Sequence, residues 1–276
     1  MKTLRRTSLL TMTRLAAGVT IALAIAGCAD FSAVRTYADD TKKLGASFAA
    51  IADTPVQICQ SQFLMQEQVS EGFVAFRIAD VQASAAANCA PLAQNNTHIL
   101  NLVALLDGYS ATLAALADEK LPSYSAELKG LGAAVTGLKD RSGEPVVSED
   151  KAKAVISLGK LVSRLATERV ARSEMKQLLE QSEAVNATTD ALAWYARSIT
   201  GEQLKTYQER SRIAMDSLPR FEKTEPLAVR MYAVNLVREQ ERAKQLATQN
   251  DALIASLARH REATNALRDQ FDKRRD

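Results

Sequence analysis

The sequence predicts an all-α protein: an elongated bundle of long antiparallel helices ending in a coiled-coil-like hairpin. Three observations carry that expectation. Helix-favouring Ala, Leu, Gln, Glu, Lys and Arg dominate, while aromatics make up 5% and there are 6 prolines in 276 residues. The best strand candidate, "FVAFRIADV" (73–81), stands alone, and a solitary strand has nothing to pair with. In the second half, apolar residues recur at seven-residue intervals over long unbroken stretches.

The first helix is expected over 31–52, with Phe31, Val34, Leu44, Phe48 and Ile51 as its apolar positions. Thr54-Pro55 marks a restart, because threonine can cap a helix and proline is tolerated at its first position. That helix runs to about Ser70. Glu71-Gly72 offers a turn, and helix resumes through Asn88. Ala90-Pro91 is expected to kink or restart the chain, since proline lacks the amide proton a helix interior needs. "THILNLVALLDGYSATLAALAD" (97–118) is strongly apolar and supplies the most buried core, until Leu121-Pro122-Ser123 breaks it. In the segment 123–140, Gly130, Gly132 and Gly137 suit close helix packing.

Cys59 and Cys89 constrain this half. In one straight helix they would lie ~45 Å apart, whereas a disulfide requires Cα atoms roughly 4.4–6.8 Å apart. A bridge therefore demands a chain reversal between them, which the turn at Glu71-Gly72 supplies. The expected unit is a helical hairpin stapled near its base. Without a Cys-x-x-Cys pattern, the pair reads as a structural staple rather than a redox couple.

"DRSGEPVVS" (140–148) is the clearest linker, separating a stapled region (28–140) from a long-helix region (149–276) across 141–148. The two regions are expected to pack as one bundle. Ser148 is a candidate cap, followed by Glu149 and Asp150 in the first turn. Little interrupts the pattern from Glu149 to Ile199, which predicts a rod of ~75 Å. Leu178, Val185, Leu192 and Ile199 form one heptad row, with Ser182, Thr189 and Ala196 as companions. Thr200-Gly201 is a candidate break, and "SLPRFEKTEP" (217–226) turns the chain. The last helix then runs from Leu227 toward Phe271. It carries Leu246, Leu253, His260 and Leu267 in one row and Asn250, Leu257, Thr264 and Phe271 in another, a seam diluted by polar residues. The tail "RDQFDKRRD" (268–276) interleaves charges and reads as a solvated end. No repeat is strict enough for a solenoid.

The amino terminus has a different character. Lys2, Arg5, Arg6 and Arg14 precede an apolar stretch from Leu15 to Gly27, with no acidic residue before Asp30. A basic head followed by a short apolar middle reads as a secretory signal, too short for a membrane anchor helix of ~20 apolar residues. Ile25-Ala26-Gly27-Cys28 resembles the lipobox of bacterial lipoproteins: an aliphatic residue, two small residues, then cysteine. The resemblance covers residues 1–28 alone. It implies cleavage after Gly27, acylation of Cys28 and tethering to a Gram-negative membrane by two or three chains, a far stronger hold than one chain gives. Ala29, where aspartate would favour inner-membrane retention, implies the periplasmic face of the outer membrane.

Composition narrows the function. The chain has 35 Lys+Arg and 32 Asp+Glu, and four of the basic residues lie in the signal, so the mature body is near neutral. That leaves no general case for nucleic-acid binding. The two histidines, His98 and His260, lie far apart and lack partners at metal-ligand spacing; His260 falls on the seam, where a packed histidine is expected. There is no Gly-rich phosphate loop, G-x-S-x-G or H-E-x-x-H. No catalytic residue, metal site or cofactor is expected beyond the lipid on Cys28. Trp194-Tyr195, the one adjacent aromatic pair in the sequence, is a candidate contact anchor. The expected function is a non-enzymatic, membrane-tethered envelope protein that binds another envelope protein. The alternatives are a carrier or sensor holding an apolar ligand near Leu100, Val103 and Leu106, and an inhibitor or immunity-type lipoprotein.

Overall fold

The computed structural model describes residues 29–71, 77–118, 130–140, 142–167 and 173–272, and these fold into an all-α bundle. In chain order its helices are α1 (Ala29–Ile51), α2 (Thr54–Glu71), α3 (Ile78–Ala117), α4 (Leu131–Gly137), α5 (Glu149–Thr167), α6 (Ser173–Leu179), α7 (Ser182–Trp194), α8 (Glu202–Ser217) and α9 (Pro226–Asp272). A π-helical segment, Tyr195–Gly201, joins α7 to α8, and a short 3₁₀ turn, Leu218–Arg220, follows α8. Part of the isolated strand candidate is the start of α3; positions 73–76 lie outside the described residues, as do the expected break at 121–123 and the Glu71-Gly72 turn at its Gly72 side.

α3 is the spine. Its second half buries Leu102, Leu105, Leu106, Tyr109 and Leu113, the apolar stretch anticipated at 97–118. α3 is also the one described helix long and apolar enough to cross a bilayer, yet 61% of its most apolar window is buried inside the bundle. Pro91 does not restart this helix, contrary to the sequence expectation: α3 runs through it unbroken. Pro91 is exposed, so the carbonyl it fails to satisfy can turn to water.

α1 lies antiparallel to α3. Arg35 Nε meets Asp118 Oδ1 at 2.7 Å near one end, and Gly45 abuts Asp107 further along. α2 turns back along the first half of α3, where Cys59 and Cys89 are disulfide-bonded with their Cα atoms 6.0 Å apart. The stapled hairpin read from the cysteine spacing is thus the arrangement the backbone adopts.

The expected rod over 149–199 is corrected by the structure. α5, α6 and α7 are separate helices, and α5 packs beside α7. The cause is burial. Val155, Leu158, Val162 and Leu165 on α5 and Val185 and Leu192 on α7 all reach the same core. Each such side chain gains roughly 1.5–3 kcal/mol on burial, against at most about 1 kcal/mol per residue of helix propensity. Thr200-Gly201 does not break the chain either, because the π segment carries it into α8.

Residues 139–140 and 142–147 form an ordered turn. Lys139 and Pro145 pair as an isolated β-bridge, and Gly143 takes φ = 86°, the left-handed region that a side chain disfavours. Asp140 Oδ1 accepts from Ser142 N, Ser142 Oγ and Glu144 N at 2.8, 2.6 and 3.0 Å, which holds its carboxyl below the ordinary carboxylate range. Leu138 and Val147 on either side are buried in one core with α3, α5 and α7. Gly137 allows α4 to approach α3 closely: a Cβ there would sit 2.7 Å from His98 Nε2.

Among the described residues there are two cores, and α9 spans both. The larger joins α1, the second half of α3, and α4 to α7 with Leu253, Leu257 and Leu267 of α9. The smaller joins Ile58 and Met65 of α2, Leu204, Tyr207 and Ala214 of α8, and Val229, Tyr232 and Leu236 of α9. Of the heptad rows read from the sequence, Leu178, Val185 and Leu192 are wholly or nearly wholly buried, as are Leu253, Leu257 and Leu267; Leu246 is half-buried, and the side chain of Phe271 lies outside the described residues.

Candidate functional site

His260, Thr264 and Asn250 on the α9 seam each have a hydrogen-bond partner, while the Oδ1 of Asn250 is buried without one. His260 is buried where α1, α7 and α9 meet. Its Nδ1 lies 3.1 Å from Thr189 Oγ1, and its Nε2 lies 3.1 Å from both Tyr37 Oη and Thr41 Oγ1. Thr189, Thr41 and Thr264 commit their hydroxyl protons to the carbonyls of Val185, Tyr37 and His260. This pattern assigns the ring proton to Nδ1, donating to Thr189. The Tyr37 hydroxyl then supplies the one proton shared between Nε2 and Thr264 Oγ1, which lies 2.8 Å away. Burial lowers the His260 pKa to about 4 and pushes Tyr37 up to about 12. The cluster is therefore neutral near pH 7, a hydrogen-bonded packing device without a charged base.

Asn250, next on the seam, donates from Nδ2 to the carbonyl of Ala196 at 3.0 Å, inside the π segment. The π turn widens the helix and leaves a carbonyl accessible from the side, and Asn250 meets it. Asn186 Nδ2 similarly donates to Asn265 Oδ1 at 2.8 Å.

The anticipated aromatic pair divides. Tyr195 is wholly buried, its ring 6.3 Å from that of Phe48, so it serves the core and is not open to a partner. Trp194 is half-buried and lines an open groove of about 520 Å³ between α7 and α9, beside Arg197, Arg261 and Glu262. Arg261 is engaged there with Asp190 at 2.8 Å. A second groove of about 390 Å³ between α1 and α9 exposes an edge of the His260 cluster to Asp40, Lys43 and Arg259. Neither groove borders Leu100, Val103 or Leu106; Val103 and Leu106 are packed in the core and Leu100 faces outward. Among the described residues no three His, Cys, Asp or Glu side chains stand close enough together to hold a metal ion. Cys28 lies outside the described residues, and α1 begins at the next position, Ala29.

What the sequence reading missed is the surface of α9's first turns. Val229, Tyr232 and Leu236 face the smaller core, while Leu227, Met231, Val234 and Val237 stand in solvent, 71, 68, 53 and 52% exposed. This end of the helix is apolar on both sides, and among the described residues only one side is covered by the bundle. Nearby, Met65, Ile213 and Ala214 line a cleft of about 420 Å³ between α2 and α8, with Arg210 and Arg220 at its rim. Ile213 is 54% exposed. The exposed apolar row on this end of α9 marks a contact face. No protein-family model, curated protein or solved structure matches the chain.

Proposed function

We propose that the protein is a lipid-tethered lipoprotein of the Gram-negative envelope, whose helical body acts without catalysis by binding another envelope protein. The observation that carries the binding role is the exposed row of Leu227, Met231, Val234 and Val237 on α9. Leaving such side chains in water forgoes roughly 1.5–3 kcal/mol each, and a partner that covers them recovers it. The tethering rests on the lipobox-like Ile25-Ala26-Gly27-Cys28, directly before the first helix of the body. Ala29 after the cysteine favours the outer membrane's periplasmic face.

Two measurements test this reading. Mass spectrometry of the protein from its own host should show an acylated chain starting at Cys28, and Cys28→Ser should abolish acylation and membrane association. Affinity isolation from detergent-solubilised envelope should recover one stoichiometric protein, lost with Val234→Asp. A chain that starts at Met1 without lipid, or failure to recover any partner, would overturn it.

A further inference from the structure

We infer that the exposed face of α9's first turns receives an amphipathic helix of the partner protein with acidic residues flanking its apolar seam. This rests on the partner-binding reading above and specifies its chemistry. The spacing comes first. Leu227, Met231, Val234 and Arg238 follow one another at intervals of four, three and four residues, the seam spacing along which a second helix inserts its knobs. Val237 widens the seam on one side.

Charge selects the occupant. Arg230 beside the seam and Arg238 at its end are exposed and have no hydrogen-bond or ion-pair partner among the described residues. The two carboxylates that follow Arg238 along α9 are engaged elsewhere, Glu241 with Lys244 at 2.7 Å and Glu239 with the Tyr207 hydroxyl at 3.4 Å. The seam therefore offers apolar side chains and free guanidinium groups, which call for carboxylates on the partner. A second copy of this chain offers these arginines no carboxylate: antiparallel pairing about the midpoint of Met231 and Val234 would set Arg238 against Leu227 and Arg230 against Asn235, and parallel pairing would set each arginine against itself.

Position disfavours a lipid surface. α1 and α9 run antiparallel, with Tyr37 meeting Thr264, so the chain enters the body at the carboxy-terminal end of α9. Val234 lies about 45 Å along α9 from Thr264 at 1.5 Å per residue. A membrane holding Cys28 is thus at the end opposite this face.

The test is photo-crosslinking in the protein's own host, with a benzophenone amino acid in place of Met231 or Val234, and in place of the exposed Thr248 as control. Mass spectrometry of the products from the first two positions should identify a protein segment with helical apolar periodicity and an excess of Asp and Glu, and Thr248 should give little product. R230E/R238E should lower the yield at least fivefold, and R230K/R238K should largely restore it, with the thermal melt of each variant unchanged. Crosslinks to phospholipid, to a second copy of this chain or to a basic segment would overturn the inference, as would indifference to charge reversal. If protein crosslinks form only at other surfaces of the body, this inference falls and the partner-binding reading stands; if none form at any surface position, both fall.

Discussion

The Tyr37 ring lies over the His260 imidazole, their centroids 5.2 Å apart and their planes 28° from parallel, and the pair joins the first described helix to the last. It holds the ring where both nitrogens find hydroxyl partners and no carboxylate does. The groups facing the cluster are hydroxyls from α1, α7 and α9; Asp40, Lys43 and Arg259 line the groove outside it. A proton added to His260 would bring an uncompensated charge into the core.

That arrangement makes stability depend on acidity with a definite sign. The folded-state pKa of His260 is about 4, below its ordinary 6.5, so the unfolded chain binds the extra proton first. The contribution is fully present above pH 6.5 and is lost as pH falls from 6.5 to 4, up to about 3 kcal/mol. Urea unfolding at pH 7.5 and pH 4.5 should show this loss in the wild type. His260→Gln should be less stable at pH 7.5, because the hydroxyl cluster loses its partner, and should show a smaller change between the two pH values. An equal change in both proteins would place the acid sensitivity elsewhere.

The Asn250 side chain explains why a polar residue occupies a buried helix seam. Asn250→Asp replaces the amide donor with a carboxylate facing the Ala196 carbonyl, a repulsive contact in a site 2% exposed. The expected cost at pH 7 is about 3 kcal/mol, the scale of an uncompensated buried charge. Chemical denaturation should also show that the difference from wild type narrows as acid neutralises the new carboxylate.

The Cys59–Cys89 bridge ties α2 to the first half of α3, whose outer surface is largely exposed. With its ends 30 positions apart in the sequence, the chain-entropy account assigns it roughly 3–4 kcal/mol. C59S/C89S, or the wild type under reductant, should unfold at lower denaturant concentration by that amount. Hydrogen exchange should rise first in α2 and the early part of α3, while the larger core around Leu105 and Leu113 stays protected.

How far the sequence disclosed this architecture depends on which interactions decide each feature. Composition decides helix, and the spacing of Cys59 and Cys89 decides the hairpin, so both were legible. The heptad rows at 178–199 and 246–267 were legible because periodicity reports a buried face whatever covers it. The rod was misread because helix propensity extends through 149–199 while the burial of α5 against α7 is a long-range gain with no local mark. Tyr195 was read as a contact candidate because burial depends on Phe48, distant in sequence. The exposed face of α9 did carry a signal. From Leu227 to Val237 the helix is apolar except at Arg230 and Asn235, with Leu227, Met231 and Val234 on one side and Val229, Tyr232 and Leu236 on the other. A helix apolar on two sides needs two partners. Only the structure shows that the bundle supplies one of them.

Substitution separates those two sides. Leu236→Ala, in the smaller core, removes a side chain 2% exposed and should cost about 2–5 kcal/mol. Met231→Ser and Val234→Ser remove side chains that already face water, so each should stay within about 0.5 kcal/mol of wild type. The functional outcome should run the other way. The serine variants should fold, acquire lipid and yet fail to retain the partner, whereas Leu236→Ala should retain it wherever enough folded protein survives. Thermal melts paired with affinity isolation from the same preparations would read both effects. Loss of stability in the serine variants would mean that the exposed row is a structural face of the fold, and partner retention by them would mean that the contact lies elsewhere.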